Sequence, residues 1–354
     1  MSIYEKLAKN KNLKNYITDI SEKSLSLRED FISTGIATLN ILYSGRIDGG
    51  IPKHKISMIA GETQSGKSLQ SIYLVKQALK KGMNVIYIDT EFAINEIMIE
   101  NFDLQKDIEE HKLIIIPEND ITQVKQIVAN LKEELDFDEK ENTLLIIDSW
   151  GGLVNAKQID DAMTGKDVAD LQTTRAKNGL ANLLLTLHPM TIYVSAHVYS
   201  SIGSFIPTPG GEISGGSKIQ YVSSAIVKTT SQAKDKDGNN VIGKVVTAIA
   251  EKGRYVKPGT KLKYLIRFDG GIHPYYGILE DALEGGYVEK VSNGWYTRPC
   301  VENDKKWREK EIWENSKEFW LPIFKNTDFK DYIKMKYSLI NKDKEKSNID
   351  LLEE

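Results

Sequence analysis

The chain has 354 residues, a length that calls for one large α/β domain with smaller appendages or for two domains. Its composition, 40% hydrophobic and 27% charged, is that of an ordinary globular protein, and it contains no run of about 18 apolar residues that could span a membrane. The net charge of −3 excludes a globally basic nucleic-acid binder but leaves room for a local basic surface, or one repeated in an assembly. The lone Cys300 excludes an intramolecular disulfide and any cysteine zinc site, and the five histidines show no ligand spacing. Met1 to Lys6 carries no basic segment leading into an apolar one, so the expected compartment is the cytoplasm.

Residues 1–30 mix Lys, Asn and Ser with thinly spaced apolar positions (Ile3, Leu7, Leu13, Ile17, Ile20), which predicts a short helix without a core of its own. From Ile32 onward the chain is richer in apolar residues. Runs at Ile56 to Ala60, Asn84 to Asp89, Leu113 to Ile116, Thr143 to Asp148 and Thr191 to Ala196 alternate with amphipathic stretches. The stretches at Ser68 to Lys81, Ile121 to Leu135 and Ala169 to Leu187 read as helices. Alternation of this kind predicts a parallel sheet covered on both faces. After Gly203 a Gly/Pro/Ser-rich stretch leads to strand-like runs at Ser223 to Thr230, Gly243 to Glu251 and Leu262 to Phe268, with Lys234 to Asn240 as an exposed hairpin turn. Beyond Gly277 comes a smaller unit carrying Trp295, Trp307, Trp313 and Trp320, and residues 342–354 form a charged end expected to fray.

Three features carry chemistry. Gly61, Glu62, Thr63, Gln64, Ser65, Gly66, Lys67 and Ser68 complete the pattern G-x-x-x-x-G-K-[ST] between a strand and a helix that continues with Leu69. In that context the backbone N–H groups and the helix N-terminus face phosphate, Lys67 reaches the β/γ-phosphates and the Ser68 hydroxyl is placed to ligate Mg²⁺, which predicts a bound nucleoside triphosphate. Asp148, ending the apolar run Leu144 to Ile147, reads as the carboxylate that holds Mg²⁺ directly or through water, or as a cap for the next helix. Glu91 follows the strand Val85 to Thr90; it is either the general base that orients the attacking water or a surface carboxylate near a helix start.

Together with Tyr87 to Ala93 and Ile146 to Ser149, the phosphate loop resembles the RecA-type recombinases. Phe268 to Gly277 and Asn293 to Tyr296 are similar to the UvsX-type recombinases of tailed bacteriophages. The resemblance, running from about residue 30 to 300, implies a RecA-like P-loop NTPase core at 31–276. It also implies a short N-terminal oligomerisation segment at 1–30, docked on the adjacent subunit, a small C-terminal α/β domain at 277–340 and a flexible tail at 341–354.

It further implies that Glu91 is the catalytic glutamate and that His197 is a polar switch sensing the γ-phosphate, where a lone His after a strand would otherwise be structural. Val198 to Ser214 would be the second DNA-binding loop, with Gly215 and Gly216 approaching DNA phosphates and Ile202 wedging between base triplets. The first loop would lie near residues 157–166, with Arg175 and Lys177 beyond it as phosphate contacts or as solvated helix charges. Lys252 and Arg254 match an element by which one subunit reaches ATP on its neighbour; the alternative is a pair of strand-surface charges.

Two positions depart from the pattern: Met98 stands where relatives commonly stack an aromatic ring on adenine, and Asn95 replaces a frequent acidic or polar position. The expected function is ATP-dependent homologous pairing and strand exchange by a filament on single-stranded DNA, assisted by a mediator and a single-strand-binding protein, with no membrane involved. The alternatives are a hexameric helicase built on the same core, and a nucleotide-gated scaffold with feeble catalysis.

Overall fold

The structure, a computed structural model, describes residues 30–155, 171–199 and 211–339. The expected N-terminal helix, the first loop at 157–166, Ile202 and the charged tail lie outside the described residues. The chain divides between Asp30 and Phe31, and the description concerns the second unit.

That unit begins with β1 (Phe31–Ile32), α1 (Ala37–Ser44), β2 (Ile51–Pro52), β3 (Ile56–Gly61), α2 (Lys67–Lys80) and β4 (Asn84–Asp89). It continues through α3 (Glu96–Asn101), α4 (Gln105–Glu109), β5 (Leu113–Pro117), α5 (Ile121–Glu134), α6 (Phe137–Glu141) and β6 (Thr143–Asp148). Next come α7 (Leu171–Leu185), β7 (Thr191–Tyr199), β8 (Glu212–Ile213), α8 (Ser217–Val222), β9 (Ala225–Asp237), β10 (Asn240–Lys252), β11 (Lys261–Arg267) and β12 (Gly271–Ile272). The C-terminal part holds α9 (Leu279–Glu284), β13 (Glu289–Ser292), β14 (Trp295–Thr297), β15 (Trp307–Arg308), α10 (Glu309–Glu314), α11 (Ser316–Asn326) and α12 (Phe329–Tyr337).

Among the described residues a ten-stranded sheet runs β12-β11-β10-β9-β3-β7-β6-β4-β5, with β8 added to the end of β7. From β9 to β5 neighbours are parallel, while β10, β11 and β12 form an antiparallel edge. Both β3 and β6 are buried along their whole length, as a parallel strand covered on two faces must be. Successive side chains serve opposite layers: Val85, Tyr87, Leu144 and Ile146 enter the core under α1 and α2, and Ile86, Ile88, Leu145 and Ile147 enter the one under α5 and α7. Each fully buried aliphatic side chain contributes about 1.5–3 kcal/mol, so these unbroken apolar strands are stable only between two layers. Because every strand end from β3 to β4 points the same way, Gly61 lies beside His197 and Asp89 beside Asp148.

The hairpin expected as a loop over Lys234 to Asn240 is nearly all strand. β9 runs to Asp237 and β10 starts at Asn240, leaving Gly238 (φ 59°) and Asn239 as a two-residue turn. Its tip is wet on both faces, so it shows charge alternation instead of the apolar alternation that betrays a half-buried strand. The sequence reading also omits α1. All eight of its residues are buried, so it lacks the polar face that gives a helix its period.

In the C-terminal part, β13-β14-β15 form a small antiparallel sheet. Trp307, Ile312, Phe319 and Trp320 continue the α1/α2 core into it. Arg298 pairs with Asp304 at 2.6 Å, both side chains 5% exposed, and its guanidinium lies 4.8 Å from the Trp307 ring centre. Among the described residues no helix is long and apolar enough to cross a membrane.

Candidate active site

The phosphate loop joins β3 to α2. Gly66, the residue before the helix, has φ 83°, and a side chain there would meet Ile266 Cδ1 at 2.6 Å, so both backbone angle and space demand glycine. Gly61 is required by space alone, since a Cβ would sit 2.1 Å from Thr229 Oγ1. The loop is braced from within and from the sheet edge: Ser65 donates to Glu62 O at 2.8 Å, Tyr264 to Ser65 O at 2.8 Å, and Lys244 to Gln64 Oε1 at 2.9 Å. Lys67 is buried, its ammonium donating to Glu62 O at 2.9 Å. Burial lowers its pKa, opposed by the charges of Asp148 and Glu91.

Thr63, Gln64, Gly66, Lys67, Ser68, Leu69, Glu91, Asp148 and His197 line one cavity of about 210 Å³. The structure thus brings together residues drawn from four strand ends. Asp148 accepts from Tyr87 OH at 2.6 Å through Oδ2 and from Ser195 through Oδ1. Glu91 Oε1 accepts from Ser149 Oγ at 2.5 Å and lies 2.7 Å from His197 Nε2. Burial raises the Glu91 pKa, but the hydrogen bonds from Ser149 and His197 and the charges of His197 and Lys67 outweigh it, so the carboxyl is held below its ordinary range. An ionised carboxylate only accepts, so His197 Nε2 carries the proton of that contact.

The segment after residue 210 is docked against this cavity. β8 pairs with Val198 and Tyr199 at the end of β7, and Ser214 N donates to His197 O at 2.9 Å. Gly215 and Gly216 have φ 88° and 94° and line a second hollow of about 250 Å³ with Tyr199, Lys177 and Gly151. Lys177 is almost fully buried there and reaches Gly151 O at 3.4 Å, whereas Arg175 is exposed on α7.

Lys252 and Arg254 are not a pair of charges on one strand surface: β10 ends at Lys252, next to a register shift, and Arg254 lies beyond it. The Lys252 ammonium caps the end of α8, donating to Gln220 O at 3.0 Å and Tyr221 O at 2.8 Å, while Arg254 is exposed. Lys252 pairs with Ile226, which pairs with Met58, so it lies toward the start of β3 and away from its own phosphate loop.

Met98 does not line the phosphate cavity. It packs with Ile72, Val75, Tyr87 and Ile99 under α3, whose first turn Asn95 caps by accepting from Met98 N at 3.0 Å. Phe268 is exposed and comes two residues after Ile266, the residue that presses on Gly66. The sequence places Phe268 in a strand and in a family segment and marks no role for it. Tyr87 and Ser195, which hold Asp148, were also missed, since each reads simply as a strand residue.

The donor set fits a nucleotide with a hard cation. The Lys67 ammonium, the hydroxyls of Thr63 and Ser68 and the carboxylates of Glu91 and Asp148 line the cavity, and among the described residues no group of three or more His, Cys, Asp or Glu could hold a metal by itself. A site of that kind suits Mg²⁺, which takes one or two protein oxygens and completes its shell with phosphates and water.

Residues 6–273 match the RecA N-terminal domain family. The chain belongs to the RecA family. Residues 275–333 of this RecA-family chain match the C-terminal domain of the bacteriophage T4 recombination and repair protein. The recombination and repair protein of Enterobacteria phage T4 is 29% identical over 325 residues, covering 88% of this chain and 80% of the relative. Protein RecA of Fusobacterium nucleatum is 27% identical over 284 residues, covering 79% and 71%. A mitochondrial DNA repair RecA homologue of Dictyostelium discoideum is 25% identical, covering 73% and 55%. Among solved structures, a RadB recombinase aligns with a TM-score of 0.47 and 19% identity over 68% of this chain and 98% of that one. The chain is thus a RecA-type recombinase, a DNA-dependent ATPase that binds nucleotide.

Proposed function

We propose that the protein assembles on single-stranded DNA as a helical filament, pairs that strand with homologous duplex DNA and exchanges strands, powered by ATP. The observation that carries this reading is the sharing of Glu91 Oε1 by His197 and Ser149, one on the strand that holds the segment after residue 210 and the other beside Asp148. A catalytic carboxylate wired to a glycine-bearing segment is what a DNA-gated ATPase needs.

In this reading Lys67 and the loop N–H groups hold the phosphates, and Ser68 and Asp148 would hold Mg²⁺, which when bound spreads the charge that develops on the phosphoryl oxygens. Glu91 takes the proton of the attacking water. His197 donates to the γ-phosphate when ATP is bound and returns to Glu91 after hydrolysis, which moves β8 and the glycines behind it. Gly215, Gly216, Arg175 and Lys177 contact DNA phosphates and Ile202 wedges between base triplets. Lys252 and Arg254 meet the ATP of the adjacent subunit, so hydrolysis requires assembly. Phe268 stacks on the base in place of Met98. A mediator and a single-strand-binding protein assist loading.

The test is ATP-dependent strand exchange between a single-stranded circle and a homologous linear duplex, with nonhomologous duplex and Lys67→Ala as controls. Joint molecules that require both homology and Lys67 support the proposal. Unwinding of duplex irrespective of homology would replace it with a ring helicase.

A further inference from the structure

Trp150 has no place in the phosphate chemistry, yet it is fully buried between the two halves of the site. It directly follows Asp148 and Ser149. Its backbone N–H donates to Ser195 O at 2.8 Å, the residue whose hydroxyl holds Asp148. Its indole Nε1 donates to Gly215 O at 3.0 Å. The edge of the ring abuts that glycine, since a Cβ on Gly215 would be 2.5 Å from Trp150 Cδ1 and 3.0 Å from Nε1. One residue earlier, Ser149 Oγ donates to Glu91 Oε1 at 2.5 Å. Ser149 is itself clamped to β4, with Thr90 Oγ1 accepting from its N–H and donating to its carbonyl, both at 2.7 Å.

We propose that Trp150 is a positioning residue that carries movement of the glycine pair to the catalytic carboxylate, by a route separate from His197. It rests on the reading of Gly215 and Gly216 as DNA-phosphate contacts. Without DNA, the indole holds Gly215, and Ser149 keeps Glu91 Oε1 occupied by a second donor, which makes the carboxylate a weaker base. When the glycines shift toward a phosphate backbone, the indole follows its hydrogen-bonded carbonyl, the Ser149 side chain turns away from Glu91 while Thr90 holds its backbone, and Glu91 is freed to accept the proton of water. A rigid ring in a close-packed site transmits such a shift, because its surroundings cannot deform to absorb it. The Ser214 hydroxyl of the docked segment is buried without a hydrogen-bond partner among the described residues.

The test compares Trp150→Phe, which keeps an aromatic ring but loses the N–H donor, with Ser149→Ala, in the full chain. ATP turnover is titrated with an oligo-dT strand, and affinity for that strand is measured by anisotropy with a non-hydrolysable ATP analogue. Trp150→Phe should keep DNA-free turnover and strand affinity within about twofold, while the stimulation by DNA falls roughly 3- to 10-fold, the worth of one hydrogen bond. Ser149→Ala should raise DNA-free turnover and lower the stimulation ratio, and the double variant should match Ser149→Ala alone, since both lie on one route. Equal losses with and without DNA in Trp150→Phe would show a merely structural residue and overturn the proposal, as would unchanged stimulation. If Trp150→Phe does not fold, Ser149→Ala decides: unaltered DNA-free turnover overturns the route. If the wild type is not stimulated by DNA at all, the functional reading falls first and this inference with it.

Discussion

His197 Nε2 lies 2.7 Å from Glu91 Oε1, and the carbonyl of the same His197 accepts the N–H of Ser214. One residue therefore touches the proposed base with its side chain and the segment before the glycine pair with its backbone. His197→Ala removes the first contact and keeps the second. DNA-stimulated hydrolysis is expected to fall at least about 10-fold, in line with the loss of a charge-assisted hydrogen bond. Affinity for nucleotide should change by less than about threefold, because His197 supplies none of the loop donors. Steady-state hydrolysis beside a binding titration with ADP separates the two, and a parallel loss of affinity would deny the switch role.

Glu91→Gln keeps the shape of the side chain and one acceptor for Ser149, but it cannot take a proton. Turnover should drop by about 10²- to 10⁴-fold, the range for a positioned general base, with ATP still bound. Such a variant should accumulate on single-stranded DNA with ATP, since release follows hydrolysis. Single-turnover kinetics with radiolabelled ATP measures the loss; a fall below about threefold would move the base elsewhere.

Lys252 lies away from its own phosphate loop and Arg254 follows just beyond the end of its strand, so a site shared between neighbours predicts complementation. Lys67→Ala and Arg254→Ala should each be nearly inactive alone. Mixed, they form interfaces in which an intact loop meets an intact Arg254, and at random assembly about a quarter of the sites are whole. Recovery of hydrolysis in the mixture, scaling with the product of the two fractions, is the expected result. A mixture no more active than its parts would put Arg254 outside the nucleotide site.

Phe268 is exposed and follows by two residues Ile266, whose side chain presses on the phosphate-loop glycine Gly66. Stacking of a purine on a ring is worth about 1–3 kcal/mol by alanine substitution at base-stacking sites, so Phe268→Ala should raise KM for ATP roughly 5- to 160-fold with kcat nearly kept. Phe268→Tyr should restore it. Met98→Ala, by contrast, opens a gap under α3 and should lower thermal stability more than it alters KM.

The buried parallel strands and the phosphate loop were legible in the sequence because their physics is local. An unbroken apolar run such as Leu144 to Ile147 is what a strand covered on both faces requires, and two glycines around Lys67 are what a phosphate cradle requires. What stayed hidden depends on residues that meet only after folding. Tyr87 and Ser195 reach Asp148 from 61 and 47 positions away, and Trp150 meets Gly215 across 65. No local pattern marks them. Met98 was read from its position in a resemblance, and the pull of the α3 core outweighed that position. Only the outer part of the β9–β10 ribbon, Ser231 to Asp237 and Asn240 to Ile242, was hidden, because strand ends wet on both faces keep no apolar alternation.

The Arg298–Asp304 pair offers a test of the C-terminal unit that is independent of nucleotide. Asp304 accepts from Arg298 Nε at 2.9 Å, Arg298 Nη2 at 2.6 Å and Arg298 N at 2.8 Å, and Trp307 Nε1 donates to it at 3.2 Å. Burial raises the carboxyl's pKa, yet these hydrogen bonds and the guanidinium charge hold it below the ordinary value of about 3.9. Asp304→Ala strands a guanidinium that is 5% exposed, and removing one partner of a buried pair typically costs about 3–5 kcal/mol. The sign of the pH dependence follows from the depressed value. The stabilisation is complete above the unfolded pKa of about 3.9 and is lost as pH falls through the lower folded one. Between pH 8 and pH 5 the pair should therefore add a constant margin, visible as a parallel offset between wild type and variant in urea unfolding followed by tryptophan emission. Below about pH 4 the two curves should converge as Asp304 takes up its proton. An offset that persisted unchanged into acid would mean that the loss came from packing around Trp307 and not from the charge pair.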